Sequence, residues 1–284
     1  MNIQDIVYTQ SQYNKDKYGF RVFKLALDSG YECARRENPC AFCVENTFAD
    51  SDLSEKSITQ QVDYLIEKLS KKVKAQGYIA YFQDISHYND LADLQAKIKE
   101  AESHLHILEL ILAIRPDCLS RELLDMLSSI KKPITIELGV QSVNDNSLLF
   151  LNRGHSAADN QRAIEMLQDY PYRCGVHLIL GIPGDDIDST QYFVNNNQII
   201  KDVKLHHLAV FEGSALAKTM PAEQVISLDR YIAILAYFIQ NLREDITVSR
   251  LFTSNLSRQH IMLNDFPGVK REWLNRFCNY MKGK

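Results

Sequence analysis

The sequence predicts an α/β fold, a partial or full (β/α) barrel with parallel strands. Continuous apolar runs of about six residues alternate with stretches of helical spacing, a pattern that is typical of buried parallel strands joined by helices. Polar residues follow directly after these runs, where the chemistry of such barrels lies. Six strand and helix units suit a barrel better than a short doubly wound sheet.

The elements can be assigned in chain order. The predicted strands occupy residues 22–27, 78–82, 107–114, 134–140, 176–180 and 205–211. Helical spacing is found at 58–69, 91–98 and 119–130, near 144–151 and 157–168, and from about 228 to 242. The alternation fades from residue 246, although 248–253 has the pattern of one more strand and 272–281 that of a terminal amphipathic helix.

We divide the 284 residues into an N-terminal arm (1–20), one barrel domain (21–245) and a C-terminal extension (246–284). The arm is polar and has no sustained period. No internal repeat, low-complexity tract or linker rich in proline and glycine divides the barrel.

Charge and targeting signals narrow the function classes. The net charge of -4 gives no general attraction to nucleic acid, and the dense basic stretch at 68–74 is interpreted as a solvated helix face rather than a binding surface. Residues 1–17 lack the apolar segment of a secretory signal, and no apolar run is long enough to span a bilayer. A cytoplasmic location is therefore expected.

Three cysteines lie within eleven residues directly after the first predicted strand: Cys33, Cys40 and Cys43. Thiolates are soft ligands, so this spacing indicates iron-sulfur or zinc binding. A structural zinc site needs four ligands, whereas three leave one metal position open, which favours a [4Fe-4S] cluster. Ordinary buried thiols or a disulfide are the alternative, and disulfides are rare in the cytosol. The other cysteines are distant and are interpreted as structural: Cys118, Cys174 and Cys278.

Seven stretches of the chain, taken in order, resemble the radical S-adenosylmethionine (SAM) superfamily. They are residues 33–43 with Ala49-Asp50 beyond, 81–83, 115–119, 137–142, 152–155, 177–184 and 204–208. More closely, they resemble the YhcC/YtqA-like group, relatives of the catalytic subunit of Elongator. Two features depart from the common pattern: six residues separate the first two cysteines, and Gln83-Asp84 replaces the Gly-Gly-Glu that often holds the SAM amino group.

The resemblance implies a fold, two cofactors and a reaction. The fold is a partial (β/α)6 barrel of the TIM type with a C-terminal extension. A [4Fe-4S] cluster held by the three cysteines binds SAM at its open iron and cleaves it reductively. The resulting 5'-deoxyadenosyl radical takes hydrogen from a substrate, and a reductant such as flavodoxin or ferredoxin supplies the electron.

The resemblance also assigns roles around SAM. Arg153 lies twelve residues after Gln141, the spacing at which the arginine pairs with the SAM carboxylate and the glutamine approaches the ribose. His177 stands where relatives place a residue that contacts the ribose. The main chain from Leu180 to Ile182, with Gly181 between them, is expected to meet the adenine.

Two further residues, Gln83 and Glu137, are candidates for contact with the cofactor, and each has more than one possible role. Gln83 stands where the amino-group ligand is expected, but how that amine is held stays open. Glu137 lies inside a buried strand and must be paired or protonated, so a structural role and a cofactor role are both open.

Substrate-side candidates are His155, His206 and His207, whereas Arg115 and Asp117 are candidates for contact with either SAM or the substrate. For Asp117, capping of the following helix is an equal alternative. Kinship to Elongator suggests a tRNA nucleoside as the substrate, and a small molecule is the other choice. The competing function is a non-catalytic zinc or iron-sulfur module, for example a redox sensor.

Overall fold

The computed structural model describes residues 2–31, 33, 35–44, 52–71, 73–83, 85–88, 90–253, 263 and 266–283. Seven strands form one parallel sheet in the order in which they occur along the chain, and the sheet curls into a half-barrel. The strands are β1 Val22–Leu27, β2 Gly77–Phe82, β3 Ile107–Ile114, β4 Ile134–Gln141, β5 Arg173–Leu180, β6 Ile200–His207 and β7 Thr247–Arg250. The predicted α/β half-barrel is confirmed.

Helices connect the strands. They are α1 Gln10–Tyr18, α2 Ile58–Ser70, α3 Leu91–Ser103, α4 Arg121–Leu127, α5 Asp145–Phe150, α6 Ala157–Leu167, α7 Ile187–Asn196, α8 Ala215–Thr219, α9 Leu228–Gln240 and α10 Lys270–Lys282. Short 3₁₀ turns occur at Ile3–Asp5, Pro116–Cys118 and Ala222–Gln224. None of the described helices is both long and apolar enough to cross a bilayer.

Strand β2 shows why the strands are continuous apolar runs. All six of its residues are buried. Tyr78, Ala80 and Phe82 pack in the main core with the helices, whereas Ile79 and Tyr81 belong to a separate cluster on the other face, with residues of β1 and β3. Because both faces of a parallel sheet are covered, apolar residues do not alternate with polar ones.

The N-terminal segment differs from the predicted arm. Helix α1 begins after Thr9, whose side chain accepts from the Gln12 N–H, and ends at Gly19 with a left-handed φ of 76°. The helix is polar on all sides, so no apolar period predicts it. It contacts both β1 and β7, and the Val248 N–H donates to the Tyr8 carbonyl. Residues 10–18 therefore lie against both end strands of the sheet.

Several other elements differ from the prediction, and β5 begins at Arg173, three residues before the predicted run at 176–180. Strand β6 runs from Ile200 to His207, so it begins five residues before the predicted run at 205–211 and ends before Leu208. Polar residues Asp202 and Lys204 within the strand mask its beginning. Helices α7 and α8 were not predicted, and the helix predicted at 119–130 is limited to α4, with a 3₁₀ turn at Pro116–Cys118 before it.

The C-terminal segment contributes to the sheet and covers it. The additional strand predicted at 248–253 is present as β7, which lies in the stretch assigned to the C-terminal extension and pairs with β6. Helix α10 packs against α9 and buries Trp273 and Phe277. The Trp273 indole donates to the Pro267 carbonyl at 2.9 Å and contacts the Phe266 ring.

Candidate active site

A cavity of about 320 Å³ lies inside the half-barrel, at the carboxyl ends of the strands. Six residues with predicted metal or cofactor roles line it: Cys33, Gln83, Glu137, Gln141, Arg153 and His177. Arg115, His206 and His207 line it as well. Cys40, Cys43 and residues 180–182 are described but are not among its lining residues. Asp84 and the Ala49-Asp50 pair lie outside the described residues.

Glu137 on β4 is the centre of the cavity floor. Its carboxylate accepts hydrogen bonds from Lys24 Nζ at 2.9 Å, His177 Nε2 at 2.5 Å and Lys204 Nζ at 3.4 Å. Burial alone would raise the pKa of Glu137, but Lys204, Lys24 and His177 hold it well below its usual value. The floor is therefore a charged network around one ionised carboxylate.

Two partners of Glu137, His177 and Lys204, have a lowered pKa. Burial lowers the pKa of His177 to about 4, so the neutral imidazole donates to the carboxylate. Burial also lowers the pKa of Lys204 to about 8, against the attraction of Glu137. Lys204 Nζ reaches across the barrel and donates to the Tyr81 hydroxyl at 2.8 Å.

Arg153 connects the cysteine loop, defined as residues 33–43, to strand β4. Its Nη1 lies 3.3 Å from Cys40 Sγ, and its Nη2 donates to the Gly139 carbonyl at 3.1 Å. A Cβ on Gly139 would lie 2.7 Å from Arg153 Nη2, so the absence of a side chain there makes room for the guanidinium. Arg115 Nη1 donates to the Arg153 carbonyl at 2.9 Å and supports this segment.

Backbone conformations next to the cavity are unusual. Gln141 ends β4 with a left-handed φ of 66°, which is uncommon for a residue with a side chain and is found mainly at turns and functional sites. Its Nε2 lies beside Gly139, next to Arg153. Gly181 has a φ of 87°, and a Cβ there would lie 2.2 Å from Ile226 Cδ1, so glycine is required.

The three predicted metal ligands lie in one loop, and none of them forms a disulfide. Cys33 is exposed, Cys40 is buried and Cys43 is half-buried. The Cys43 N–H donates to the Cys40 carbonyl at 2.9 Å, which places these two residues on one turn. The loop is anchored because Ala41 N–H donates to the Leu151 carbonyl and Ala41 O accepts from Leu216 N–H. Within the described part of the chain, no group of three or more His, Cys, Asp and Glu residues forms a metal site.

The histidines proposed for the substrate side differ in their surroundings. His155 is buried with neither ring nitrogen hydrogen-bonded among the described residues, and burial lowers its pKa to about 4. His206 lies beside Thr253 and has its ring centre 6.1 Å from that of His177. His207 packs against Phe266, with ring centres 4.3 Å apart.

Asp117 does not cap the helix that follows it. Ser120 precedes α4, and its hydroxyl accepts from the Leu123 N–H. Asp117 instead accepts from Arg115 Nη2 at 2.7 Å. The capping alternative is therefore wrong, because Ser120 occupies that position.

A family model and several sequence relatives match this chain. The model of the Radical SAM superfamily matches residues 29–195. The chain belongs to the radical SAM superfamily. It is similar to Protein YhcC of Escherichia coli, with 29% identity over 253 residues that cover 84% of this chain and 80% of the relative. YtqA of Bacillus subtilis is 26% identical over 266 residues, which cover 88% and 82% of the two chains.

More distant relatives include a tRNA uridine(34) acetyltransferase of Methanocaldococcus infernus. It is 32% identical over 126 residues, which cover 42% of this chain and 23% of that protein. Among solved structures, Elp3 of the same archaeon has a TM-score of 0.68 at 18% identity and covers 92% of this chain, which spans 63% of the Elp3 chain. Methylornithine synthase has a TM-score of 0.54 at 14% identity, covering 95% and 85% of the two chains. These structural similarities show the fold.

Membership of the radical SAM superfamily implies a [4Fe-4S] cluster and SAM. The chemistry of the cysteine loop fits a cluster, because its thiols form no disulfide and the guanidinium of Arg153 beside Cys40 would favour an anionic group there. The convergence of all three cysteines stays a prediction.

Three cationic side chains of the cavity region had no predicted role: Lys24, Lys204 and Arg250. Lys204 and Arg250 line the cavity, and Lys24 contacts Glu137 in its floor. Their signal in the sequence is a charged residue inside or at the end of a strand whose neighbours are apolar. A charge in a buried strand requires a partner, and Glu137 is the partner of both lysines.

Proposed function

We propose that this radical SAM protein is an enzyme that cleaves SAM reductively and uses the radical on a substrate that enters the cavity. The observation that carries the proposal is Arg153, whose guanidinium contacts Cys40 on one side and the Gly139 carbonyl on the other. A single buried cation is thereby shared by the cysteine loop and the strand end that form one wall of the cavity.

The proposed ligands follow from these positions. Cys33, Cys40 and Cys43 would hold the cluster, and Arg153 would pair with the SAM carboxylate. Gln141 and His177 would approach the ribose, and residues 180–182 the adenine. Gln83 is proposed for the amino group. When bound, the cluster and SAM supply the cleavage of a sulfonium C–S bond to a 5'-deoxyadenosyl radical, which takes hydrogen from the substrate.

The chain's own residues would orient the ligands and exclude water. The network of Glu137 closes the cavity from below, since its carboxylate accepts from Lys24, Lys204 and His177 within the protein. Glu137 thus supports the cavity through its pairs with Lys24, Lys204 and His177. A direct contact of Glu137 with the cofactor remains an alternative role.

Anaerobic reconstitution with iron and sulfide tests the proposal. We expect brown protein with about four irons per chain, which yields 5'-deoxyadenosine from SAM and dithionite. Colourless protein that holds zinc and produces no 5'-deoxyadenosine would instead establish the non-catalytic module. Flavodoxin or ferredoxin, tested in place of dithionite, identifies the class of reductant.

A tRNA nucleoside is the proposed substrate class, supported by the partial similarity to a tRNA uridine(34) acetyltransferase. Comparison of nucleosides from bulk tRNA, with and without the gene, tests it. We expect one modified uridine to disappear when the gene is deleted. An unchanged nucleoside profile would exclude tRNA and direct attention to small molecules.

A further inference from the structure

Two cations stand side by side at the far wall of the cavity. Lys204 on β6 and Arg250 on β7 are register partners, and both line the cavity. Residues opposite each other on neighbouring strands are close enough to interact, and like charges at such positions destabilise a sheet. His177 occupies the same level on β5, as the register partner of Lys204.

The charges around this pair do not balance. Glu137 is the carboxylate at this level, and it already accepts from Lys24, His177 and Lys204. One layer deeper, Asp202 is held by Arg173 with an Nη2 to Oδ1 distance of 3.0 Å. Burial keeps His177 and His206 neutral by lowering the pKa of each. One carboxylate therefore faces three cations: Lys24, Lys204 and Arg250.

Arg250 is the cation that this carboxylate leaves without a contact. Among the residues that the structure describes, none forms a hydrogen bond or an ion pair with the Arg250 guanidinium. Burial lowers its pKa from the ordinary arginine value, although Tyr81 and Glu137 favour the charge. A half-buried guanidinium that lacks a partner is costly to the free protein, and an anion in the cavity would remove that cost.

We propose that Arg250 and Lys204 bind an anionic oxygen group of the substrate, a phosphate or a carboxylate. Arginine meets either group with two parallel hydrogen bonds, and lysine adds a point charge beside it. This pair is separate from Arg153, which lies beside Cys40 and the Gly139 carbonyl at the cysteine loop. The inference rests on the proposed function in one respect, because the bound anion is part of a substrate only if the protein is an enzyme.

Titration of the full chain with inorganic phosphate, and separately with acetate, tests the pair. Binding is followed by calorimetry and by the midpoint of thermal unfolding, with ionic strength held constant by sodium chloride. We expect at least one of the two anions to bind saturably and to raise the midpoint above that in chloride alone. The anion that binds identifies the group as phosphate or carboxylate.

Variants locate the binding. We expect R250Q to weaken the anion roughly tenfold or more, and R250K, which keeps the charge but loses the fork, to weaken it less. R121Q is the matched control, because Arg121 is an exposed arginine paired with Asp169 outside the cavity. Without anion, R250Q should unfold at the same temperature as the parent or higher, since a like charge beside Lys204 is removed.

The inference would be overturned if neither phosphate nor acetate bound more tightly than chloride, or if R250Q bound the anion as tightly as the parent protein. It would also be overturned if R250Q without anion unfolded at a lower temperature than the parent, because that would indicate a structural role for Arg250. These measurements need no cluster, SAM or reductant. Failure to form 5'-deoxyadenosine would therefore refute the proposed function and leave the anion result unaffected.

Discussion

Glu137 is the carboxylate that holds the charged side chains of the cavity floor together. It is almost completely buried and accepts from three side chains, two of them lysines. In E137Q, Lys24 and Lys204 would face each other without an anion. We expect a loss of about 3 kcal/mol in the free energy of unfolding, because breaking a buried ion pair leaves uncompensated charge.

Urea unfolding at pH 7 measures the effect of E137Q. The matched control is E165Q, because Glu165 is exposed on α6 and its carboxylate accepts only from the neighbouring Gln161 among the described residues. That change should alter stability by less than about 0.5 kcal/mol. Equal stability of the two variants would show that Glu137 is not the centre of a paired network.

The cysteine loop provides a second test at single residues. In C40S a hydroxyl replaces one of three proposed ligands, and oxygen is a poor donor for an iron-sulfur cluster. We expect iron after reconstitution to fall from about four per chain to below one. Iron analysis and visible absorbance measure this change, with C118S, outside the loop, as control. Full iron retention by C40S would remove Cys40 from the ligand set.

Helix α1 contacts the sheet through polar side chains, which its sequence pattern does not predict. Lys17 Nζ and the Tyr18 hydroxyl donate to Glu109 on β3, at 2.7 and 2.8 Å, and Thr135 donates to the other carboxylate oxygen at 3.0 Å. Glu109 is buried, so these contacts neutralise and solvate it within the protein. A segment without apolar period is thus fixed by polar contacts with the sheet.

Replacement of Lys17 tests this role. We expect K17M to lower the free energy of unfolding by about 2 kcal/mol, because Glu109 keeps its hydroxyl donors and loses its cation. K15M on the same helix, an exposed lysine, should change stability by less than about 0.5 kcal/mol. Urea unfolding compares the two variants. If both are equally stable, α1 does not stabilise the sheet through this pair.

Strand β4 affects the site through Gly139. In G139A the new methyl group would lie 2.7 Å from Arg153 Nη2 and 3.2 Å from Gln141 Nε2, so both side-chain ends must shift. Because flexible ends move at little cost, we expect a stability change of less than about 1 kcal/mol but roughly tenfold weaker SAM binding. Calorimetry with SAM measures the affinity. G283A, at the end of α10 with a φ of -85° and only ordinary contacts at its Cβ, is the control.

Acid stability is a property of the whole molecule, because buried histidines occur at several positions. Burial lowers the pKa of His207 to about 3, and that of His155 and His177 to about 4, from an ordinary value of 6.5. As pH falls below 6.5 the unfolded chain binds protons that the folded protein does not. Stability is therefore complete above pH 6.5 and is lost on acidification.

His207 allows a direct measurement. Each such histidine is expected to lower the free energy of unfolding by about 2 kcal/mol as the pH falls from 6.5 to 5. The variant H207F keeps a ring beside Phe266 but cannot be protonated, so its loss of stability in acid should be smaller by that amount. Unfolding curves from pH 7 to 5 test it. H87Q changes an exposed histidine and should leave the slope unchanged. A slope unaltered in H207F would show that His207 is protonated in the folded state.

The accuracy of the sequence prediction follows burial. Strands 22–27 and 107–114 were predicted to the residue because apolar runs in parallel sheets are continuous. The beginning of β6 was missed because Asp202 and Lys204 point to ionic partners that lie on other strands. Glu137 and Arg153 were singled out from the motifs and their roles stay predictions. Their contacts could not be predicted, because they depend on which strands face each other and spacing along the chain does not contain that information.

The order of the strands has a consequence for biosynthesis. The end strands β1 and β7 come from the two extremes of the barrel sequence, and α1 contacts both. Lys24 reaches Glu137, while Arg173 Nη2 reaches Thr247. A nascent chain emerging from the ribosome exposes its cysteine loop well before β7 and Arg250 are translated. The wall of the cavity that carries Arg250 can therefore form only after the other six strands have been made.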